Sequence, residues 1–349
     1  MTQDKLIFWI IFNNDIETNM KLGIGLGYSP AKLTIPVEDI LEAEKLGFDS
    51  VWSAESYGSD AVSVAAYVLA LTSKINVGTA IMQMQARTPT MTAMTALSLN
   101  ALSGGRFLLG LGPSGPQVVE GWYGEPYGRP LTRTKEYISI IRKIVAREEA
   151  LTHEGFHYQI PYTGEGSSGL GKPLKSILHS TSDLKIYTAS ITPAGLRCAG
   201  EVSDGVFPIW MNPEKFNLIG EHIEEGFAKA GENKGYEHFD VAPFVPVALG
   251  DNVDFCIQMM KPMMALYIGG MGAKSKNFYN DYAKRLGYEE AAMAVPNDLV
   301  DECALIGPAE RIKERLQPWK ELDKSGKIGT LVLGNASKKA QRVIAEEVL

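Results

Sequence analysis

The chain has 349 residues, of which 45% are hydrophobic and 21% charged, and its formal net charge is −7. This composition supports a large apolar core, and the acidic balance argues against a nucleic-acid partner. The three cysteines, Cys198, Cys256 and Cys303, are too few and too widely spaced for a disulfide framework or a cysteine-based zinc site. No apolar run reaches the ~18 residues that span a bilayer, so we expect no membrane contact and a cytoplasmic location.

The first nineteen residues differ from the rest of the pattern. Leu6–Phe12 (LIFWIIF) is apolar, but it stops at Asn-Asn-Asp without a small-residue cleavage site, which makes a poor signal peptide. Met20 then begins a strand-like run. We therefore predict an N-terminal extension, residues 1–19, before a single domain, residues 20–349. Whether the extension is an upstream start, an added strand or a disordered arm stays open.

Short β-rich runs then alternate with helical periods in chain order. The first half predicts strand Lys21–Gly27, helix Val37–Leu46, strand Asp49–Ser53, helix Ala61–Thr72, strand Ile75–Met82, helix Thr90–Leu102 and strand Arg106–Gly112. The second half predicts helix Leu131–Arg147, strand Leu184–Ala189, helix Pro193–Val202, strand Gly205–Ile209, helix Pro213–Ala230, strand Phe239–Leu249, helix Val253–Leu266, helix Pro308–Leu322 and strand Ile328–Leu333.

Eight strands separated by helices indicate an α/β fold, the closed (β/α)8 TIM barrel. A doubly wound sheet has a similar order but usually fewer strands, and it is the competing architecture. The chain is longer than the ~250 residues typical of the barrel. We place the surplus in insertions over residues 113–134, 150–182 and 269–301.

The segment His153–His157 (HEGFH) matches the HExxH pattern of zinc proteases. That mechanism requires both histidines on one face of a helix. Gly155 costs a helix ~1 kcal/mol relative to alanine, and Pro161 ends a helix soon after. We therefore predict a β-hairpin with Gly155 at its turn, and no metal site.

The segment Gly110–Gly115 (GLGPSG) matches GxGxxG and follows a strand. A dinucleotide-binding loop of this type opens the first βα turn and leads directly into a helix. This one follows the fourth strand and contains Pro113. We interpret it as a glycine-rich loop through which a ligand approaches the backbone, with a structural turn as the alternative.

In a parallel barrel the active site is built from the segments that follow the strands. Here these segments are Gly25–Tyr28, Ser53–Tyr57, Ala80–Gln83, Gly112–Gly115, Ala189–Pro193 and Ile209–Asn212. They are mostly apolar, small or amide-bearing, and Glu55 is the acidic residue prominent among them. Since few strong acids, bases or metal ligands converge, the pattern favours a bound organic cofactor that carries the chemistry.

Several blocks of the chain resemble luciferase-like oxidoreductases, most closely the branch that uses the deazaflavin coenzyme F420, of the kind found in mycobacteria. These blocks are Met20–Tyr28 (MKLGIGLGY), Ala86–Gly112, Ser114–Gly124, Pro130–Ile138, Thr163–Lys175 and Met263–Tyr279. The resemblance extends from about Met20 to near the C-terminus. It implies the barrel of the luciferase-like monooxygenase superfamily, F420 at the carboxyl ends of the strands, and a homodimer.

The resemblance also implies cofactor contacts. Family members carry a bulge with a non-prolyl cis peptide against the coenzyme ring, and the matching position is Ala80–Ile81. The acidic residue after the second strand corresponds to Glu55, near the pyrimidine edge of the ring. The loop after the fourth strand corresponds to Gly112, Pro113 and Ser114.

Two departures from relatives concern the phosphate and the proton. Relatives often carry glycines where this chain has Ser190, Ile191 and Thr192, in the loop whose backbone N–H groups hold the coenzyme phosphate; Ser190 and Thr192 still offer hydroxyl donors. Sugar-phosphate dehydrogenases of the family have His after the acidic residue and Glu in the loop after the fourth strand. This chain has Ser56 and, approximately, Gly115 there, which argues against the sugar-phosphate reaction.

The leading expectation is an F420-dependent oxidoreductase that transfers a hydride between the deazaflavin and a small organic substrate. Candidate catalytic residues are Glu55, Ser56 and Gln83, and Gln83 is also a candidate cofactor contact. Candidate substrate contacts are Tyr57, Trp122, Tyr123 and Trp210, with core packing as the alternative role for each aromatic ring.

Two other functions fit the same pattern. An FMN-dependent luciferase-like monooxygenase would need oxygen and a reductase partner. A non-catalytic barrel would bind a flavin without turnover. The fold is common to all three. The bound cofactor distinguishes the first two functions, and an intact ring site without turnover would indicate the third.

Overall fold

A computed structural model of the chain describes residues 20–180, 183–270 and 277–349. The predicted extension, residues 1–19, and parts of the predicted insertions, residues 181–182 and 271–276, lie outside these ranges. Within the described ranges, no helix has both the length and the apolar composition needed to cross a membrane.

The elements follow the predicted alternation closely. The strands are β1 (Lys21–Gly25), β2 (Ser50–Ser53), β3 (Asn76–Thr79), β4 (Met82–Gln83), β5 (Phe107–Gly112), β6 (His153–Glu154), β7 (Gln159–Ile160), β8 (Ile186–Ala189), β9 (Gly205–Phe207), β10 (Asp240–Val241), β11 (Phe244–Leu249), β12 (Leu305–Gly307) and β13 (Thr330–Gly334). The α-helices are α1 (Val37–Leu46), α2 (Ala61–Leu71), α3 (Pro89–Leu102), α4 (Pro116–Val119), α5 (Pro130–Ala146), α6 (Pro193–Val202), α7 (Asn217–Ala230), α8 (Val253–Ala265), α9 (Phe278–Arg285), α10 (Asn297–Glu302), α11 (Ala309–Lys324) and α12 (Lys338–Val348).

Parallel strand pairing closes the sheet into a barrel. From β9 the order runs β8, β5, β3, β2, β1, β13 and β11. The ring closes through the segment that contains β10 and β11, because β10 pairs with β9 while β11 pairs with β13. Ala242 N donates to Val206 O at 2.9 Å on one side, and Val332 N donates to Pro243 O at 3.0 Å on the other. The predicted (β/α)8 architecture is thereby confirmed.

The sequence prediction was incomplete in the last third of the chain. The range 269–301 was predicted as an insertion, whereas the structure has α9 and α10 there and then β12, which pairs with the end of β11. β12 has only three residues, Leu-Ile-Gly, which is too short to show a period of two. The predicted strand Phe239–Leu249 is divided because Pro243, between β10 and β11, has no N–H to donate to a neighbouring strand.

Aromatic rings fill the interior of the barrel, and glycines on the adjacent, paired strands make room for them. The ring centroid of Trp52 lies 4.8 Å from that of Phe207, and Phe207 stacks on Tyr187 at 5.0 Å. A Cβ at Gly78 would lie 2.3 Å from the Trp52 ring, and one at Gly205 would lie 2.4 Å from the Tyr187 ring. The packing of this interior therefore depends on residues that have no side chain.

We expect Gly78→Ala to lower the free energy of unfolding by about 1–3 kcal/mol, because the added methyl group overlaps the buried Trp52 ring. Urea unfolding followed by circular dichroism measures the change. The matched control is Gly171→Ala, where the nearest atom would lie 3.6 Å from the new Cβ, and its effect should stay within about 0.5 kcal/mol. Equal effects of the two substitutions would contradict a tightly packed barrel interior.

Candidate functional site

A cavity of about 680 Å³ opens at the carboxyl ends of the barrel strands. It is lined at the strand ends by Gly27, Tyr28, Ala54–Ser56, Ala80, Ile81, Gly112–Gly115, Ala189–Ile191, Ile209 and Trp210. Its floor consists of the rings of Trp52, Phe207 and Phe244, which also belong to the packed interior. Residues from all six predicted strand-end segments thus meet around one cavity, as parallel strands require.

The backbone between β3 and β4 contains the predicted cis peptide bond at Ala80–Ile81, so that expectation is confirmed. Both residues line the cavity. Ile81 packs directly against the backbone of Gly112, because a Cβ at Gly112 would lie 2.8 Å from two carbons of the Ile81 side chain. Gly112 is therefore required for this close contact between Ile81, just before β4, and the end of β5.

Glu55 lies after β2 and its side chain is only 4% exposed. Arg87 donates to both carboxylate oxygens, at 2.8 and 3.0 Å, and the backbone N–H of Ala61 donates to Oε2 at 3.0 Å. The carboxylate therefore joins the end of β2 to the start of α2, and the guanidinium offsets its charge. The cavity receives little net charge from this side.

Gln83 is 1% exposed and does not line the cavity. Its Nε2 donates to the backbone oxygens of Glu55, at 3.3 Å, and Ser56, at 3.1 Å. Its Oε1 has no hydrogen-bond partner. Among the three candidate catalytic residues, Ser56 and Glu55 line the cavity, and Gln83 holds the loop that carries them.

The four candidate substrate contacts are not brought together. Trp210 lines the cavity and is 2% exposed, whereas Tyr57, Trp122 and Tyr123 do not line it. Tyr57 and Trp122 are mostly exposed, and the Tyr123 hydroxyl donates to the backbone oxygen of Ser56 at 3.3 Å. Spacing along the chain could not reveal which of these rings turns inward.

Only two of the three residues predicted to form the phosphate loop, in the segment after β8, line the cavity. Ser190 and Ile191 line the cavity, but Thr192 caps α6, where its hydroxyl accepts from Gly195 N at 3.1 Å. The Ser190 hydroxyl lies over the first turn of α6, since a Cβ at Gly195 would come within 1.9 Å of it. Arg285 donates to the backbone oxygen of Ile191 and so fixes this loop against α9.

Three tyrosines that line the cavity, Tyr28, Tyr267 and Tyr279, were not singled out by the sequence analysis. The Tyr267 hydroxyl donates to the Tyr28 hydroxyl, and the two rings stack with centroids 6.5 Å apart. Tyr279 packs edge-on against Tyr267 at 4.8 Å. Tyr28 and Tyr267 are 239 positions apart, so no local pattern relates them; the block Met263–Tyr279 was noted only for its family resemblance.

The HExxH segment forms the predicted hairpin, with β6 and β7 antiparallel. Glu136 of α5 accepts hydrogen bonds from the backbone N–H groups of Phe156, His157 and Tyr158, at 2.8 to 3.1 Å. These bonds hold the hairpin against α5. No group of three or more potential metal-ligating side chains occurs within the described ranges.

Burial raises the pKa of Tyr267 above its ordinary value, so the folded protein keeps this proton at a pH where the unfolded chain has lost it. The resulting stabilisation is complete below pH ~10 and decreases as the pH rises further. We expect Tyr267→Phe to make the fall in unfolding free energy above pH ~10 shallower, by up to ~1.4 kcal/mol per pH unit. Urea unfolding from about pH 7 to 11 tests this, with the lower range as the reference. Identical slopes in both proteins at high pH would show that Tyr267 ionises normally.

Comparisons with known proteins agree with this architecture. The sequence model of the luciferase-like monooxygenase family matches residues 21–323. The chain is 41% identical to the putative coenzyme F420-dependent oxidoreductase Rv3520c of Mycobacterium tuberculosis, over 87% of this chain and 93% of that protein. It is 27% identical to the 5,10-methylenetetrahydromethanopterin reductase of Methanolobus tindarius, over 88% and 93% of the two chains.

Solved structures show the same fold at lower identity. An F420-dependent secondary alcohol dehydrogenase in complex with an F420-acetone adduct superposes with a TM-score of 0.76 at 18% identity, over 95% of this chain and 98% of that one. The coenzyme F420-dependent tetrahydromethanopterin reductase of Methanopyrus kandleri gives 0.71 at 22% identity, with the same coverage. The family match, the 41% identity and the closed parallel barrel lead to one conclusion: this chain belongs to the luciferase-like monooxygenase family.

Proposed function

We propose that the chain is an F420-dependent oxidoreductase that transfers a hydride between the deazaflavin and an organic substrate. The observation that carries the proposal is the strand-end cavity, which is large enough for a tricyclic ring and a substrate but contains few groups able to perform chemistry unaided. The similarity to a protein named as a putative F420-dependent oxidoreductase supports the choice of cofactor.

The residues around the cavity fit such a cofactor. Ala80, Ile81 and Gly112 line the cavity and have no polar side chain, so a flat apolar ring could lie against them. Ser190 and the N-terminus of α6 offer a hydroxyl and a partial positive charge suited to a phosphate. When bound, the deazaflavin would supply a ring carbon that gives or takes a hydride. We infer a homodimer and a cytoplasmic location as well, on the family resemblance alone.

The protein's own part in the reaction is to exclude water and to supply a proton. The floor of Trp52, Phe207 and Phe244 closes the cavity from below, which shields a transferred hydride from solvent. Because Tyr267 donates its hydroxyl hydrogen to Tyr28, the Tyr28 hydroxyl keeps its own hydrogen free for a ligand in the cavity. A tyrosine is protonated at neutral pH, and partial desolvation of the Tyr28 hydroxyl raises its pKa further, although the residue is 48% exposed. We assign the proton donor to Tyr28 Oη.

The alternative cofactor is FMN, since the oxygenating constituent of 3,6-diketocamphane monooxygenase, solved with FMN, has the same fold with a TM-score of 0.65 at 17% identity. Titration of the purified chain with F420 and with FMN distinguishes the cofactors. We expect F420 to bind at least about tenfold more tightly. Preference for FMN would support the monooxygenase, and binding of neither cofactor would refute the cofactor assignment. Tight cofactor binding with no turnover in a broad substrate screen would favour the non-catalytic barrel.

We expect Gly112→Ala to weaken F420 binding about tenfold, because the new methyl group displaces Ile81 from the surface assigned to the ring. Gly115→Ala is the matched control, since Gly115 also lines the cavity and its new Cβ would meet only the end of the flexible Gln117 side chain. Calorimetric titration of F420 into each variant measures the effect. Equal affinities of the two variants would place the ring elsewhere.

For any substrate that reoxidises reduced F420, we expect Tyr28→Phe to lower kcat by about 10²-fold, because the proton donor is lost. The affinity for F420 should stay unchanged. Tyr127→Phe is the control, since Tyr127 lines the same cavity and its hydroxyl donates to the backbone oxygen of Ser114 at 3.5 Å. Stopped-flow absorbance of the deazaflavin provides the rates. A Tyr28→Phe enzyme with normal kcat would remove Tyr28 from the mechanism.

A further inference from the structure

The geometry points to a substrate class: an uncharged molecule with an apolar chain, which leaves the cavity along one face of α8. This inference rests on the proposed oxidoreductase function, since it concerns the substrate of that same site. It is carried by the charge of the cavity lining, by four methionines of α8, and by an apolar stripe that continues from the cavity onto the surface.

The first observation concerns charge. Among the described residues that line the cavity, Glu55 is the one charged side chain, and Arg87 offsets it through two hydrogen bonds. The coenzyme phosphate is assigned to Ser190 and the N-terminus of α6. A carboxylate on the substrate, elsewhere in the cavity, would lose water without finding a cationic partner in the described lining, which is costly. An uncharged reacting portion avoids this cost.

The second observation concerns the wall that α8 contributes. Met259, Met260, Met263 and Met264 all line the cavity. Met264 is buried, but Met259 is 62% exposed and Met263 is 47% exposed. Methionine is unbranched and polarizable, so such a wall adapts to apolar groups of varied shape. Contiguous exposed apolar side chains mark ligand-binding grooves or interaction surfaces, and the position of these beside the cavity favours the groove.

The third observation is continuity with the surface. Phe255, Met259, Met263 and Leu266 are all at least 45% exposed and follow a spacing of four, four and three residues, which puts them on one face of the helix. Met259 and Met263 belong both to this stripe and to the cavity lining. An apolar chain whose head lies in the cavity can therefore continue over α8 with contacts along its length.

The same continuity favours a ligand chain over a second protein copy as the occupant of the stripe. A protein docked on Met259 and Met263 would cover side chains that form part of the cavity wall and would hinder entry of the substrate. A ligand chain uses the same side chains without closing the cavity.

The test is calorimetric titration of the full-length protein with 2-butanone, 2-hexanone, 2-octanone and 2-decanone, and with alkanoates of matched length. We expect each added methylene to tighten binding of the ketones roughly threefold while it contacts the Met259–Met263 surface. Each alkanoate should bind at least about tenfold more weakly than its ketone, because its charge finds no partner.

Two variants locate the chain. Met263→Glu should weaken binding of 2-decanone about tenfold and leave binding of 2-butanone nearly unchanged. Met259→Glu should have the same effect, and it keeps the test valid if one of the two variants misfolds. Met94→Glu is the matched control, since Met94 is 56% exposed on α3 and does not line the cavity. It should bind the whole ketone series as the parent protein does.

Several results would overturn the inference. The first is an affinity for ketones that does not depend on their chain length, and the second is tighter binding of alkanoates than of ketones. The third is a pair of α8 variants that change the molecular mass in light scattering but not ketone binding, which would make the stripe an interface between copies. F420 titration separates the two proposals. F420 binding without the ketone series refutes only the substrate class, whereas the ketone series without F420 binding refutes the proposed oxidoreductase.

Discussion

The packing of aromatic rings against strand glycines is the constraint on which the rest of this molecule depends. Strand geometry turns Trp52, Phe207 and Phe244 into the barrel, and the absence of a side chain at Gly25 lets the Phe244 ring come within 2.6 Å of where its Cβ would lie. These rings have two faces with different roles. One face contributes to the core, and the other is the floor of the cavity, so the same packing stabilises the barrel and fixes the depth of the site.

Polar groups close to this floor are used mainly to hold the backbone. The Glu55–Arg87 pair joins β2 to α2, Gln83 holds the carbonyls of Glu55 and Ser56, and Thr192 caps α6. A polar group beside the cavity that already forms hydrogen bonds within the protein is not available to bind a ligand. The result is a site with a rigid rim and an apolar interior, which suits a reaction in which a cofactor performs the redox step and water must be kept away.

Elements that follow from periodic patterns in the sequence were predictable. The positions of side chains that depend on long-range packing were not. The barrel and the strand-end segments followed from the alternation of strands and helices, and the hairpin at His153–His157 followed from Gly155 and Pro161. The cis peptide at Ala80–Ile81 required the family resemblance, because no local rule for a non-proline bond indicates it. The inward turn of Trp210 and the outward position of Trp122 depend on tertiary packing that one sequence does not encode locally.

The tyrosine pair illustrates the same limit and also bears on the mechanism. Its members come from the segment after β1 and from the segment after α8, and only closure of the barrel brings their hydroxyls together. The resemblance places the acid and base of related sugar-phosphate enzymes after the second and fourth strands, where this chain has Ser56 and, approximately, Gly115.

Ser56 and Gly115 offer neither an acid nor a base at neutral pH, whereas Tyr28 brings a hydroxyl to the same cavity. With Tyr28 as donor, the proton approaches the substrate from the wall that also carries the methionines of α8. The reacting group must then lie between Tyr28 and the Ala80–Ile81 surface, which leaves the direction along α8 as the apolar exit for the remainder of the substrate. Proton supply and substrate selection would thus fall to adjacent parts of the cavity lining, since Tyr28 bonds to Tyr267, which lies in the segment directly after α8.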